Sequence, residues 1–286
     1  MPEVPAASVE PGKVSAADQT IELCGVRLPE ALTDDEIDAL AAFVSAERRE
    51  RIGRFRRRED RMRSLLAELL ARMLLARRLH AAPGDIRFGR DRFGKPRCVS
   101  GPAHFNLSHS GEWVVAAVSG REIGVDVERI DPRMDLSLAD RLFTPAERAY
   151  FESEEQGRRE RFFELWTFKE SYIKCTGTGL SVPLASFSVV PGPDGTATIA
   201  PCTDGGSAIP PGADGTATIA PGAGGTAAIA PRADGETTIA TIGEFRLKQF
   251  PIDARHRLAV CSLGLPLDGV SFRELSFETL SSAYTG

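Results

Sequence analysis

Apolar residues recur along this chain in two periods. Over 123–128 they alternate with polar ones, so Ile123, Val125 and Val127 point to one face of a strand while Asp126 and Glu128 point to the other. Weaker alternation predicts a first strand at 21–28, and 86–88, 104–107, 113–119, 184–190, 244–250 and 257–263 also read as strands. Elsewhere the pattern turns helical. Thr33, with Glu36 three residues on, predicts a capped helix through about residue 43. A Leu-rich run then predicts a long helix ending near His80, stopped by Ala82-Pro83-Gly84. Thr144-Pro145-Ala146-Glu147 is a second capping-box start, and a further helix is expected over 158–175, closed by Gly177. One long helix and a few strands thus fall in each half. This predicts an α+β fold of two similar lobes, 20–120 and 121–286, with a site in the cleft between them.

Two stretches depart from the pattern. Residues 1–19, rich in Ala, Pro, Ser and Glu, are expected to be a disordered tail. Residues 191–240 run as five ten-residue units (PGPDGTATIA, PCTDGGSAIP, PGADGTATIA, PGAGGTAAIA, PRADGETTIA), each pairing an Asp-Gly or Gly-Gly turn signal with a Thr, Ile and Ala run. They are expected to be a low-complexity insertion interrupting the second lobe, without a catalytic role, since lengthening a surface loop costs little entropy.

With 42% hydrophobic and 26% charged residues, the chain has the make-up of an ordinary globular protein, and a net charge of −5 argues against a general nucleic-acid coat. The five cysteines are scattered, odd in number and free of any CxxC pair, which favours a reducing compartment over a disulfide framework or zinc site. No start-of-chain segment has the form of a secretory signal. The apolar run 65–79 is interrupted by Glu68, Arg72, Arg77 and Arg78, too charged for a bilayer span. A cytoplasmic protein without membrane contact is expected.

Candidate chemistry centres on Asp126 and Glu128 and on the helix carrying Trp166-Thr167-Phe168-Lys169-Glu170-Ser171-Tyr172-Ile173-Lys174. Phe162, Leu165, Trp166 and Ile173 can face a core while Lys169, Glu170 and Lys174 line the helix edge. Carboxylate oxygens suit magnesium, and a lysine suits an anion on the same metal. An ordinary helix with a Glu170–Lys174 salt bridge accounts for the spacing equally well. His109, in Phe105-Asn106-Leu107-Ser108-His109-Ser110-Gly111, has no nearby Asp partner and no nucleophile elbow, which leaves a polar turn suited to phosphate. Gly89 to Lys95 mimics a P-loop, but Pro96 stands where the magnesium-binding hydroxyl belongs; Lys95 is kept as a phosphate contact. Nine arginines lie between Glu47 and Arg63. They read as a solvated face, a nucleic-acid patch poor in aromatics, or a site for a polyanionic small molecule.

Together these segments resemble the phosphopantetheinyl transferases of the surfactin-synthetase-activating (Sfp) type. The resemblance rests on Phe93-Gly94-Lys95-Pro96, His104-Phe105-Asn106-Leu107-Ser108-His109-Ser110, Ile123-Gly124-Val125-Asp126-Val127-Glu128 and Trp166-x-x-Lys169-Glu170-Ser171-x-x-Lys174. It implies a pseudodimer of two α+β lobes with coenzyme A between them. The implied reaction moves the 4′-phosphopantetheine arm of coenzyme A to a serine of an apo acyl or peptidyl carrier protein, releasing adenosine 3′,5′-bisphosphate. By position, Asp126, Glu128 and Glu170 would hold magnesium, Glu170 would act as base and Lys174 would contact the reacting phosphate. Arg48, Arg51 and Ser64 would bind the 3′-phosphate, and Lys95, Pro96, Ser108 and His109 the nucleotide and its phosphates. A monomer is expected. The competing readings are a magnesium nucleotide hydrolase and a non-catalytic carrier-protein or nucleic-acid binding module.

Overall fold

The computed structural model describes residues 19–91, 93–179, 182–201, 226–228, 239–241 and 244–285. Its elements run β1 (Ile21–Arg27), α1 (Asp34–Ala41), α2 (Ala46–Gly53), α3 (Arg58–Leu79), β2 (Phe88–Arg90), β3 (Pro96–Cys98), β4 (His104–Ser110) and β5 (Trp113–Ser119). The chain continues through β6 (Ile123–Arg129), α4 (Ala139–Leu142), α5 (Pro145–Glu152), α6 (Arg158–Thr176), β7 (Phe187–Pro191) and β8 (Thr196–Pro201). It then forms β9 (Thr226–Ala228), β10 (Ile239–Thr241), β11 (Phe245–Phe250), β12 (His256–Leu263), β13 (Phe272–Leu275) and α7 (Phe277–Thr285).

Both capping boxes form: the Thr33 and Thr144 hydroxyls accept from the Glu36 and Glu147 amides, and each glutamate reaches back to its threonine's N–H. The basic stretch breaks into α2, capped by Ser45, and the 22-residue α3, which ends on His80 in the left-handed conformation. Much of α3 is buried, with Glu68 and Arg72 held inside as an i,i+4 pair. Among the described residues no helix is long and apolar enough to cross a membrane.

The fold is α+β, with two lobes that each lay a long helix on an antiparallel hairpin. One sheet has the order β13-β1-β5-β4 and the other β6-β12-β11-β8-β7. They share a core in which Leu23, Trp113, Val115 and Ala117 of the first meet Ile123, Val125, Val127, Leu258 and Val260 of the second. Full burial of each large apolar side chain is worth about 1.5–3 kcal/mol, so the two sheets hold together as one body.

Two boundary expectations need correction. β13 pairs in parallel with β1, and α7 packs on α3, where Leu275, Leu280 and Tyr284 join the first lobe's core. The end of the stretch assigned to the second lobe therefore completes the first, closing the β1 edge and an apolar flank of α3 that would otherwise face solvent. The insertion expected over 191–240 also starts too early. Its first unit makes the β7–β8 turn, with Asp194 and Gly195 at φ 62° and 71°, and β8 is a full strand of the second sheet between β7 and β11. Farther on, among the described residues, β9 and β10 pair only with each other. The rest of the repeat, and the tail expected over 1–19 apart from its last residue, lie outside the described residues.

Candidate active site

Gly124 sets the geometry. It shares a strand face with Asp126 and Glu128, and a Cβ added there would overlap the Ser171 carbonyl oxygen and the Cys175 nitrogen of α6. Lacking one, β6 lets α6 come close enough to carry Glu170 and Lys174 to the two acids. Asp126 is only 2% exposed. Its Oδ1 accepts from Lys174 Nζ at 2.6 Å and from the Ser108 hydroxyl at 2.9 Å, while its Oδ2 is buried with no hydrogen-bond partner. Glu128 accepts from the Ser110 hydroxyl at 2.7 Å. Asp126, Glu128, Glu170 and Lys174 line one cavity of 390 Å³ with His109 and Trp166.

The electrostatics of this cavity call for a cation. Burial pushes the Asp126 carboxyl up, against the pull of Lys174 and Ser108. Glu128 is pushed up to about 7 by burial and then by the Asp126 charge. Glu170 is likewise raised, first by burial and then by Asp126. By donor chemistry these three carboxylates, one with an orphaned buried oxygen, fit a magnesium ion, although their ligand atoms do not all lie within 4.8 Å of one another. Among the described residues, only Glu112, Asp253 and His256 bring three possible ligand atoms within 4.8 Å of one another. That set joins the two lobes, and Arg255 and Arg27 already balance its carboxylates.

A second, basic cavity of 830 Å³ shares Arg48 and Leu107 with the first, so the two form one trench. Arg48 donates to Glu68 at 2.7 Å and to the Ser64 hydroxyl at 3.0 Å, and Glu68 is held in turn by Arg72 at 2.8 Å. Arg51, Arg87, Arg90 and Pro96 also line this end. His109 stays on the acidic side, its pKa lowered by burial and then by Arg63.

The structure therefore brings together Arg48, Arg51, Ser64, Pro96, Ser108, His109, Asp126, Glu128, Glu170 and Lys174. It does not bring Lys95. That ammonium turns from both cavities and is 9% exposed, bonded to Glu122 at 3.0 Å and to the Cys175 carbonyl at 3.2 Å. The half-buried Glu122 carboxylate and the carbonyl of Cys175 at the end of α6 outcompete solvent for it. Lys169, expected on the helix edge, is fully buried between Glu147 and the Phe187 carbonyl. Trp166, expected in the core, is half-buried at the cavity wall. Residues that sequence reasoning passed over are Glu68, whose i,i+4 spacing to Ser64 and Arg72 is its only signal, and Ser110, two positions beyond Ser108 on a strand.

Chemically, one end of the trench can hold a multiply charged anion. The other end offers carboxylates for a cation, an ammonium, and a carboxyl poised to take a proton.

Comparison with known proteins finds relatives of both halves of the chain. A family model described as the 4′-phosphopantetheinyl transferase superfamily matches residues 122–211, and one described as 4′-phosphopantetheinyl transferase, N-terminal, matches residues 31–121. The 4′-phosphopantetheinyl transferase ffp of Bacillus subtilis is 40% identical over 181 residues, covering 63% of this chain and 80% of the relative. Sfp of Bacillus subtilis strain 168, also named a 4′-phosphopantetheinyl transferase, is 38% identical over the same shares. A solved structure, the holo-[acyl-carrier-protein] synthase of Thermotoga maritima, aligns at 16% identity with a TM-score of 0.33, over 51% of this chain and 64% of that one.

Proposed function

The chain belongs to the 4′-phosphopantetheinyl transferase family, and on that premise we propose that its trench binds coenzyme A with the 3′-phosphate at the basic end and the pyrophosphate at the acidic end. The enzyme transfers the phosphopantetheine arm of coenzyme A to a serine hydroxyl of an apo carrier protein, releasing adenosine 3′,5′-bisphosphate. The observation that carries the finer reading is the orphaned, buried Asp126 Oδ2 beside Glu128 and Glu170. Those three residues would hold magnesium, which when bound neutralises pyrophosphate oxygens as a Lewis acid.

The chain's own residues do the rest. Arg48 and Arg51 receive the 3′-phosphate, Arg48 with its fork already oriented by Glu68 and Ser64. Lys174 keeps an ammonium at the reacting phosphate. Glu170, its carboxyl raised by burial and by the Asp126 charge, takes the serine proton as general base. Such assistance typically gives ~10²–10⁴-fold. Trp166 walls the cavity and His109 faces the same space.

The arginine-rich stretch supports a small-molecule site over a nucleic-acid surface. Arg48, Arg49, Arg54, Arg58 and Arg63 all bond acids, hydroxyls or carbonyls of this chain. Both lobes line the trench, which supports action as a monomer. Free thiols at Cys24, Cys98, Cys175 and Cys261 support a reducing, cytoplasmic setting.

Intact-protein mass spectrometry of apo carrier proteins incubated with the enzyme, coenzyme A and magnesium, beside a no-metal control, tests this function. A metal-dependent gain of one phosphopantetheine is expected. No gain from a folded protein that also fails to bind coenzyme A would overturn the reading.

A further inference from the structure

Among the described residues β6 is an edge strand of its sheet, paired with β12 alone, and β4 is likewise an edge strand, paired with β5 alone. The outer amides of β6 nevertheless find partners. Val125 N–H donates to Asn106 Oδ1 at 3.0 Å, Val127 N–H to Ser108 Oγ at 3.2 Å and Arg129 N–H to Ser110 Oγ at 3.1 Å. Alternate side chains of β4 thus stand in for the backbone of a neighbouring strand, at the two-residue period of both strands.

We propose that Asn106, Ser108 and Ser110 form a ladder that locks the register of the two lobes, and that Ser110 is a positioning residue aiming Glu128 at the metal. This rests on the assignment of the metal to Asp126, Glu128 and Glu170. A serine hydroxyl has one proton to donate and two lone pairs. At Ser110 the Arg129 amide fills one lone pair, and the proton goes to Glu128 Oε2 at 2.7 Å. Ser108 repeats the pattern: it accepts from Val127 N–H and Lys174 and donates to Asp126. One atom therefore ties an acid's carboxylate to the backbone amide of the next residue. A slip of one position along β4 would put Leu107 and His109 where the hydroxyls stand, leaving the three amides and both acids without these partners. Groups that orient metal ligands typically affect metal affinity or activity by ~10–100-fold.

The test compares Ser110→Thr with Ser110→Val, which share a shape and differ in the hydroxyl. Manganese(II) alone is titrated into each protein by electron paramagnetic resonance, and exchange of the Arg129 amide is followed by hydrogen–deuterium exchange. Ser110→Val is expected to weaken manganese binding by roughly 10-fold and to speed Arg129 exchange, with the KM for coenzyme A at saturating metal held within about twofold. Ser110→Thr should match the natural protein in both. Equal manganese affinity in the two variants would overturn the positioning role, as would faster exchange without weaker binding. Should Ser110→Val fail to fold, Ser110→Thr decides the matter: natural affinity and exchange support the ladder, and loss of either sinks it. Asp126→Ala separates the premise. If it binds manganese as the natural protein does, the metal assignment itself fails, and Arg129 exchange still judges the ladder.

Discussion

The Ser171 carbonyl of α6 occupies the place where a side chain on Gly124 of β6 would begin. The strand bearing two acids and the helix bearing the third acid and the lysine are thereby held at backbone contact. Backbone on both sides leaves no flexible atom to yield, and the Cys175 Cα would stand 3.0 Å from an added Cβ. Gly124→Ala is expected to lose most turnover and to destabilise by at least the ~1–3 kcal/mol of ordinary overpacking. Thermal unfolding and steady-state rates, measured together, check this. An alanine variant with natural stability and activity would show that α6 can retreat.

Asp126→Asn keeps the shape of the residue and removes its charge. The buried acid is held above its usual pKa by desolvation, and its charge in turn raises Glu128 and Glu170. The metal-free asparagine variant should therefore melt no lower than the natural protein, while turnover falls by at least ~10². The natural protein should gain thermal stability with magnesium and the variant should gain none.

The two arginines of the basic end should behave differently. Arg51 is exposed, whereas Arg48 is bound into the Ser64, Glu68 and Arg72 network. Arg51→Ala should raise the KM for coenzyme A by roughly tenfold, in line with ~1.5–3 kcal/mol for a charged hydrogen bond, with little change in melting. Arg48→Ala should raise the same KM and also lower stability. Dephospho-coenzyme A should show much smaller effects with both variants, and paired kinetics with the two substrates decide it.

Two partly buried carboxylate hubs should lose their contribution in acid. Burial raises the Glu122 carboxyl, but the His104 hydrogen bond and the Lys95 and Arg97 charges outweigh it, so its pKa lies well below the ordinary 4.5. Asp253 is held below 3.8 in the same way, burial being outweighed by bonds from Trp113 and His256. Groups with folded pKa values below their unfolded ones stabilise above the unfolded values and lose that contribution as pH falls toward the folded ones. Their contribution should thus be full at neutral pH and be lost below about pH 4.5. Glu128, raised to about 7, works the other way and costs stability as pH rises above about 4.5. Glu122→Gln should cost stability at pH 7, with the gap to the natural protein closing in acid. Melting curves from pH 7 to pH 3 would show it, and a constant gap would refute it.

Local signals in the sequence reached the parts of the fold that local chemistry decides. The period-two run at 123–128 and the capping boxes at Thr33 and Thr144 formed in place because each is settled within a few residues. Lys169 was misplaced for a long-range reason. Buried lysines are rare without a partner, and its partner Glu147 lies 22 residues away, in a capping box that already explained that glutamate. Lys95 answers to Glu122, 27 residues on. Likewise, nothing within 272–275 tells which sheet edge that strand will join, since strand partners are set by the packed whole.

The return of β13 and α7 to the first lobe bears on how the enzyme is made. Tyr284 donates its hydroxyl proton to the Leu69 carbonyl in the middle of α3, and β13 covers the edge of β1. Chains fold as they emerge, amino-terminal parts first. Here the lobe that emerges first lacks a strand and a helix until the second lobe has been synthesised. Every arginine of the basic end is thus translated early, yet the core beneath them has all its residues only once 272–284 has been made. Synthesis cut short before residue 272 leaves no finished half-enzyme behind.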